Sequence, residues 1–485
     1  MTKSADIRKQ LDFPIIDADG HFVEVLPLLH DQVVSFLESW GGATLRDRYL
    51  KSGFGATDTA TVLMDRTTEG VRRDWRAMPS WWGWQCRNTI DRASCHLPRL
   101  LYERLDEMGI DYMLAYPSST LAYLDVWDPE LAQGLARAAN TAFAHEFTPF
   151  VDRITPGGII PMHTPEIAIA ELEYAVNELG IKAVLIAGYA RRSIGRIAEE
   201  APKLSKLAYR LDQFGLDSPY DYDPFWQRCI DLGVAPVSHS AMQYHRVERS
   251  VSNYVANHIG GLSSCHHGLV KSLFLGGVTA RFPKLRIGLL EGGVAFGCSL
   301  YNDLLAHWEK RNANAIGDLD PDILDVEGLM RYFEKYGDEN AVAHLDTLRA
   351  FYSRPSARPE QLDEFAAAMI SSPEELRDRF VPSFYFGCEA DDRMIAWAFN
   401  EKVNPLGARL RPIFGSDVSH WDVPDFTEPV EEAFELVEDG VITEADFREF
   451  AFINPARLHY GMNQRFFDGT SVERQVAAAA GELLV

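Results

Sequence analysis

No run of about 18 apolar residues occurs in this chain, so nothing in it reads as a membrane-spanning helix. Positive charge is scarce: 47 Lys and Arg stand against 71 Asp and Glu, a formal net charge of −24. A field of that sign repels nucleic-acid backbones and anionic membranes, so a small-molecule substrate is the partner this balance favours. Cysteine is sparse as well. The six, at 86, 95, 229, 265, 298 and 388, contain no CxxC pair, which excludes a zinc knuckle and a secreted disulfide framework. Residues 1–12 are polar and charged and lack the apolar core of a signal peptide. A soluble, unprocessed, cytoplasmic protein is therefore expected.

What is present is a large apolar fraction, 46% hydrophobic and 11% aromatic over 485 residues. Eight short apolar runs recur, most of them preceded by a helix-like stretch. They start with Phe13-Pro-Ile-Ile-Asp-Ala-Asp-Gly-His21 and continue over residues 111–117, 154–161, 181–187, 234–239, 285–291 and 383–389, ending with 411–417. Amphipathic patterns such as 165–179 and 224–232 lie between them, the second stopping at Gly233 just before the fifth run. Eight alternating units predict an α/β fold, a closed parallel (β/α)8 barrel, which makes the first and last strands neighbours. The chain exceeds the roughly 250 residues of a simple barrel. The excess falls in a long insertion at about 22–100 after the first strand and a charged helical insertion at about 300–380 between the sixth and seventh, with helices expected at 321–336, 340–352 and 359–369. Residues 1–463 are read as one barrel domain and 464–485 as a C-terminal tail.

The ends of these runs carry the chemistry. Asp19 and His21 lie two apart, so on a strand they point to the same side, as two ligands of one metal would. His239 closes the fifth run, Glu291 ends the sixth beside Gly292 and Gly293, and Asp417 closes the eighth. Imidazole and carboxylate together suit zinc, manganese or iron and leave positions open for water or substrate. Glu291 is equally fitted to act as a general base, and His266 and His267 are further candidate ligands. His245, His258, His420 and Asp422 are polar enough to line a mouth, whereas His459 and the other histidines without supporting context read as structural. Four of the ten tryptophans fall between Trp75 and Trp84. In a loop at the catalytic face, Trp81, Trp82 and Trp84 would form a lid or an apolar substrate wall; the same segment fits a satellite core, or a contact between copies of a homo-oligomer.

Several segments together resemble the amidohydrolase superfamily, in the branch of metal-dependent hydrolases and of aminocarboxymuconate-semialdehyde and aromatic-acid decarboxylases. They are Ile15-Ile-Asp-Ala-Asp-Gly-His-Phe-Val-Glu24, Tyr102-Glu-Arg-Leu-Asp-Glu-Met-Gly-Ile-Asp111, the stretch from Gly276 to Gly293, Phe414-Gly-Ser-Asp-Val-Ser-His-Trp-Asp422 and Asn454-Pro-Ala-Arg-Leu458. The resemblance implies that Asp19 and His21 are first-strand ligands, His239 the fifth-strand ligand and Asp417 the eighth-strand ligand or base.

The chain also departs from the family pattern. Lys182 stands at the start of the fourth run and not at its end, so a carbamylated-lysine bridge between two metals is not expected. Glu291 replaces the sixth-strand histidine of many relatives, and the first-strand motif is Asp-x-His. The resulting expectation is a metal-dependent enzyme that hydrolyses, or decarboxylates without oxidation, a small to medium apolar or aromatic carboxylic substrate. Asp417 or Glu291 would carry the proton and His420 would bind substrate. The carboxylate-rich set is also similar to the superfamily's dinuclear non-haem iron monooxygenases of terpenoid biosynthesis, which act on substrates tethered to coenzyme A. In that alternative His266, His267 and Glu291 would help to hold the second of two irons. A metal-binding barrel without catalysis is the third reading.

Overall fold

The computed structural model describes residues 2–52, 72, 75–78, 80, 86–239, 245, 248–355, 361–420 and 423–484. Its strands are β1 (Ile16–Phe22), β2 (Tyr112–Pro117), β3 (Ile154–Ile160), β4 (Ala183–Ile186), β5 (Ala190–Ser193), β6 (Tyr209–Asp212), β7 (Pro236–Ser238), β8 (Ile287–Leu289), β9 (Phe384–Cys388) and β10 (Arg411–Phe414). Eight of them form one sheet in the order β1-β2-β3-β4-β7-β8-β9-β10, and every ladder in it is parallel. All residues of β2, β3, β4 and β9 are buried, as expected of parallel strands covered by helices on one side and by the barrel interior on the other. The eight apolar runs supply these eight strands.

Closure is made by the polar ends of the first and last strands. The N–H of Asp417 donates to the carbonyl of Asp19 at 2.9 Å, and that of His21 donates to Val418 at 2.8 Å. Beneath them Asp17 is fully buried and accepts from the Ser416 N–H at 2.9 Å, the Ser416 hydroxyl at 2.5 Å and the Asp19 N–H at 3.1 Å. Burial pushes the Asp17 carboxyl up to about 6, even though these bonds favour its charged form. The result is a nearly closed (β/α)8 barrel whose seam lies where the candidate ligands are.

Two features, the β5–β6 pair and the segment 359–369, depart from the sequence expectation. β5 and β6 pair as a separate antiparallel hairpin in the segment after β4, and their sequences, Ala-Arg-Arg-Ser and Tyr-Arg-Leu-Asp, hold no apolar run to announce them. In the second insertion, Val326–Tyr336, Glu339–Ala343 and Leu345–Tyr352 are helical. The described part of 359–369 forms only a short 3-10 turn at Ala366–Ala368, because Met369 turns left-handed at φ 51° and ends it. The C-terminal segment docks: Phe466, Phe467, Val472, Val476 and Leu483 are buried, and Glu482 pairs with Arg448. Among the described residues, no helix is long and apolar enough to cross a membrane.

Candidate metal centre

The site sits at the C-terminal ends of β1, β7, β8 and β10. A bulge between Asp17 and Gly20 shifts the register of β1 against β2, and Asp19 and His21 still meet on one side of the strand, 3.3 Å apart between Oδ1 and Nε2. His239 continues the ladder beyond β7, its N–H bonded to the Ile186 carbonyl at 3.1 Å, while Leu290 N–H bonds to the Ser238 carbonyl at 3.0 Å. These bonds fix His239 itself and the residue that precedes Glu291. Glu291 (φ 54°) and Asp417 (φ 50°) then adopt left-handed backbone, an uncommon conformation for side chains with a Cβ, worth roughly 1–3 kcal/mol each. Gly415 provides the close approach between strand ends, since a Cβ there would stand 2.8 Å from the Cβ of Asp19.

Six side chains converge. His21 Nε2 lies 3.3 Å from Glu291 and 3.4 Å from Asp417, His239 Nε2 is 2.8 Å from Glu291 Oε1, and His420 Nδ1 is 3.0 Å from that same oxygen and 2.6 Å from Asp417 Oδ1. The rings of His21 and His420 stack at 3.7 Å. None of the six side chains is more than 8% exposed. Three carboxylates gathered away from water need positive charge, yet Asp19 and Glu291 have only imidazoles as ion-pair partners among the described residues.

Charge is distributed unevenly over the group. Burial, then the charge of Glu291, raises the Asp19 carboxyl well above the usual carboxylate range. Glu291 is held well below its ordinary value, because the His239 and His420 imidazoles outweigh the burial that opposes its charge. Burial lowers the His21 imidazole, which favours the neutral form that can donate a lone pair. Both ring nitrogens of His21 and Oδ1 of Asp19 are buried without a hydrogen-bond partner among the described residues. A divalent cation among these atoms would satisfy them, and one ligand atom from each of His21, His239, Glu291 and His420 lies within 4.8 Å of the others. The residues present therefore fit a metal ion.

Of the sequence candidates, Asp19, His21, His239, Glu291 and Asp417 are brought together. His420, expected to bind substrate, stands inside the cluster. His266 is buried against it, facing Gly292, where a Cβ would fall 2.8 Å from its Nδ1; burial drives this imidazole down to about 3. The expectation that His267 is a ligand does not fit its position. It follows His266 on the helix Gly261–Leu275, where successive side chains diverge by about 100°, and it is only half-buried, within the fields of Lys271 and Asp303. Trp81, Trp82, Trp84 and Asp422 lie outside the described residues.

Glu24 accepts from the N–H groups of Ser119 and Thr120 at 2.8 and 2.9 Å and staples two loops. His245 bonds the Tyr209 hydroxyl at 2.6 Å and Asp125 at 3.1 Å, tying the β5–β6 hairpin to the loop after β2. The residue that sequence reasoning missed is Asp17, whose only signal was a carboxylate inside an apolar run. A cavity of about 120 Å³ opens beside Asp417 and is lined with carboxylates, among them Glu389, Asp391, Asp425 and Glu432.

A family model described as amidohydrolase matches residues 16–353. The γ-resorcylate decarboxylase of Rhizobium radiobacter is 28% identical over 130 residues, which are 27% of this chain and 35% of that protein. The match thus spans about a third of the length of that curated relative. An amidohydrolase of Mycobacterium avium subsp. paratuberculosis K-10 is similar in structure, with a TM-score of 0.51 and 16% identity over 92% of this chain and 99% of that one. A dihydroxybenzoic acid decarboxylase of Polaromonas sp. JS666, solved with manganese and 2-nitroresorcinol, gives 0.46 and 17% over 92% and 97%. The family match covers well over half of the chain and includes β1 to β8 with Asp19, His21, His239 and Glu291; the chain belongs to the amidohydrolase family.

Proposed function

We propose that this protein is a metal-dependent enzyme that decarboxylates, without oxidation, an aromatic carboxylic acid. The observation that carries the proposal is the buried convergence of Asp19, His21, His239, Glu291, Asp417 and His420 at the barrel's C-terminal strand ends. The local identity to γ-resorcylate decarboxylase supports the choice of reaction and substrate class.

In this reading His21, His239, Glu291 and Asp19 hold one divalent ion, zinc, manganese or iron. When bound, the ion supplies a Lewis acid that polarises an oxygen of the substrate. The Asp417–His420 pair, joined at 2.6 Å, carries the proton. Loss of CO2 breaks the bond between ring carbon and carboxyl carbon and leaves its electron pair on the ring carbon, which must then be protonated. His420 delivers that proton, and Asp417, 2.6 Å from its Nδ1, holds the ring in place for delivery. Both side chains are no more than 6% exposed, which limits exchange of that proton with bulk water.

The test is metal analysis of the purified protein together with CO2 release from 2,6-dihydroxybenzoate under anaerobic conditions. One zinc or manganese per chain with CO2 evolution is the expected result. Two irons per chain with oxygen-consuming turnover would overturn the proposal in favour of the dinuclear monooxygenase.

A further inference from the structure

Tyr116 lies near the mouth end of β2, in register with His21 of β1, and neighbouring positions on parallel strands present their side chains to the same face. Its side chain is fully buried. The ring stands edge-on to His21 at 6.4 Å between centroids and lies over the backbone of β3, where Gly157 makes room for it: a Cβ at 157 would fall 2.2 Å from the ring. The strand has been cut away to seat this aromatic beside the metal centre.

The phenol oxygen has no hydrogen-bond partner among the described residues. Four residues earlier, on the same face of the same strand, Tyr112 is buried just as deeply and its hydroxyl is bonded to Thr155. Packing alone does not account for the hydroxyl of Tyr116, since phenylalanine would fill the same space without losing hydration. A buried donor beside a metal centre, with no acceptor among the described residues, is suited to a group that arrives with the ligand.

We infer that Tyr116 is a ligand-binding residue of the centre, its hydroxyl donating a hydrogen bond to an oxygen of the carboxylate that binds there. The inference rests on the metal-centre reading above, and its direction is fixed by chemistry. A phenol donates to a carboxylate oxygen, and so it favours an anionic oxygen ligand over a neutral one.

The experiment uses the Co(II)-loaded full chain, with acetate as the probe and the visible cobalt bands as the readout. Tyr116→Phe is expected to bind cobalt with the stoichiometry and affinity of the wild type but to bind acetate about fivefold more weakly or worse. In the metal-free protein the same change should leave the melting temperature unchanged or higher, because the lost hydroxyl has no partner among the described residues. Equal acetate affinity in the two proteins would overturn the inference while leaving the metal centre standing. A variant that melts lower without metal, or that no longer holds cobalt, would also overturn it by making the hydroxyl structural. A wild type that takes up no cobalt would instead remove the metal-centre reading.

Discussion

The N–H of Asp417 donates to the carbonyl of Asp19 at 2.9 Å, so two carboxylates from remote parts of the chain stand side by side through the same bond that closes the barrel. Ligand geometry and barrel closure are therefore one structural problem here. A change that disturbs one is expected to disturb the other.

Asp17 tests that coupling without touching the centre directly. Asp17→Asn replaces an acceptor of three bonds with a group that has one acceptor oxygen and presents an NH2 to a donor. We expect a loss of about 2–3 kcal/mol in urea unfolding and a metal affinity lower by about tenfold, because a supporting contact of the ligand strand is lost. A stability loss with unchanged metal affinity would separate the seam from the centre.

His267 provides the opposite control. It follows His266 on the helix and is only half-buried, so His267→Ala is expected to leave metal content unchanged and to move stability by no more than about 0.5 kcal/mol. Loss of a metal equivalent in this variant would restore it as a ligand.

His459 should make the protein acid-sensitive. It is fully buried, stacks on Phe466 at 4.4 Å, and burial pushes its imidazole down to about 3. The unfolded chain takes up this proton near 6.5 while the folded chain resists it until about 3, so the unfolded state binds more protons in that window and stability falls as pH drops. At pH 4.5 the contribution amounts to about 2–3 kcal/mol. His459→Phe keeps the stacking surface and cannot be protonated; its loss of stability between pH 7 and pH 4.5 should be smaller than that of the wild type by that amount in denaturant titrations. Identical losses would show that this imidazole is not what acid attacks.

Much of the architecture was legible because parallel strands buried on both faces must be apolar throughout, and their polar ends then stand out against that background. Asp19, His21, His239, Glu291 and Asp417 were visible for this reason. His420 was harder to place, since it lies three residues past Asp417 in a turn, and only the left-handed backbone at Asp417 and Ser419 swings it inward. His266 and His267 could not be told apart in a sequence: which of two adjacent helical residues faces the barrel depends on how the helix is rotated as it packs. The β5–β6 hairpin was invisible because its strands are held by backbone pairing and by polar side chains such as Arg191, Arg192 and Tyr209, not by an apolar face.

The seam has a temporal side. Asp17 and Ser416, whose bond helps to close it, are separated by 399 positions. At a synthesis rate of about 5–20 residues per second, β1 waits roughly 20–80 s on the ribosome before its partner is made. During that interval its edge is unpaired and its carboxylates have no counterpart, which is the condition under which strands pair with the wrong neighbour. Aspartates and a histidine within the strand make it a poor template for such pairing. The residues that equip the finished centre thus also guard the unfinished chain.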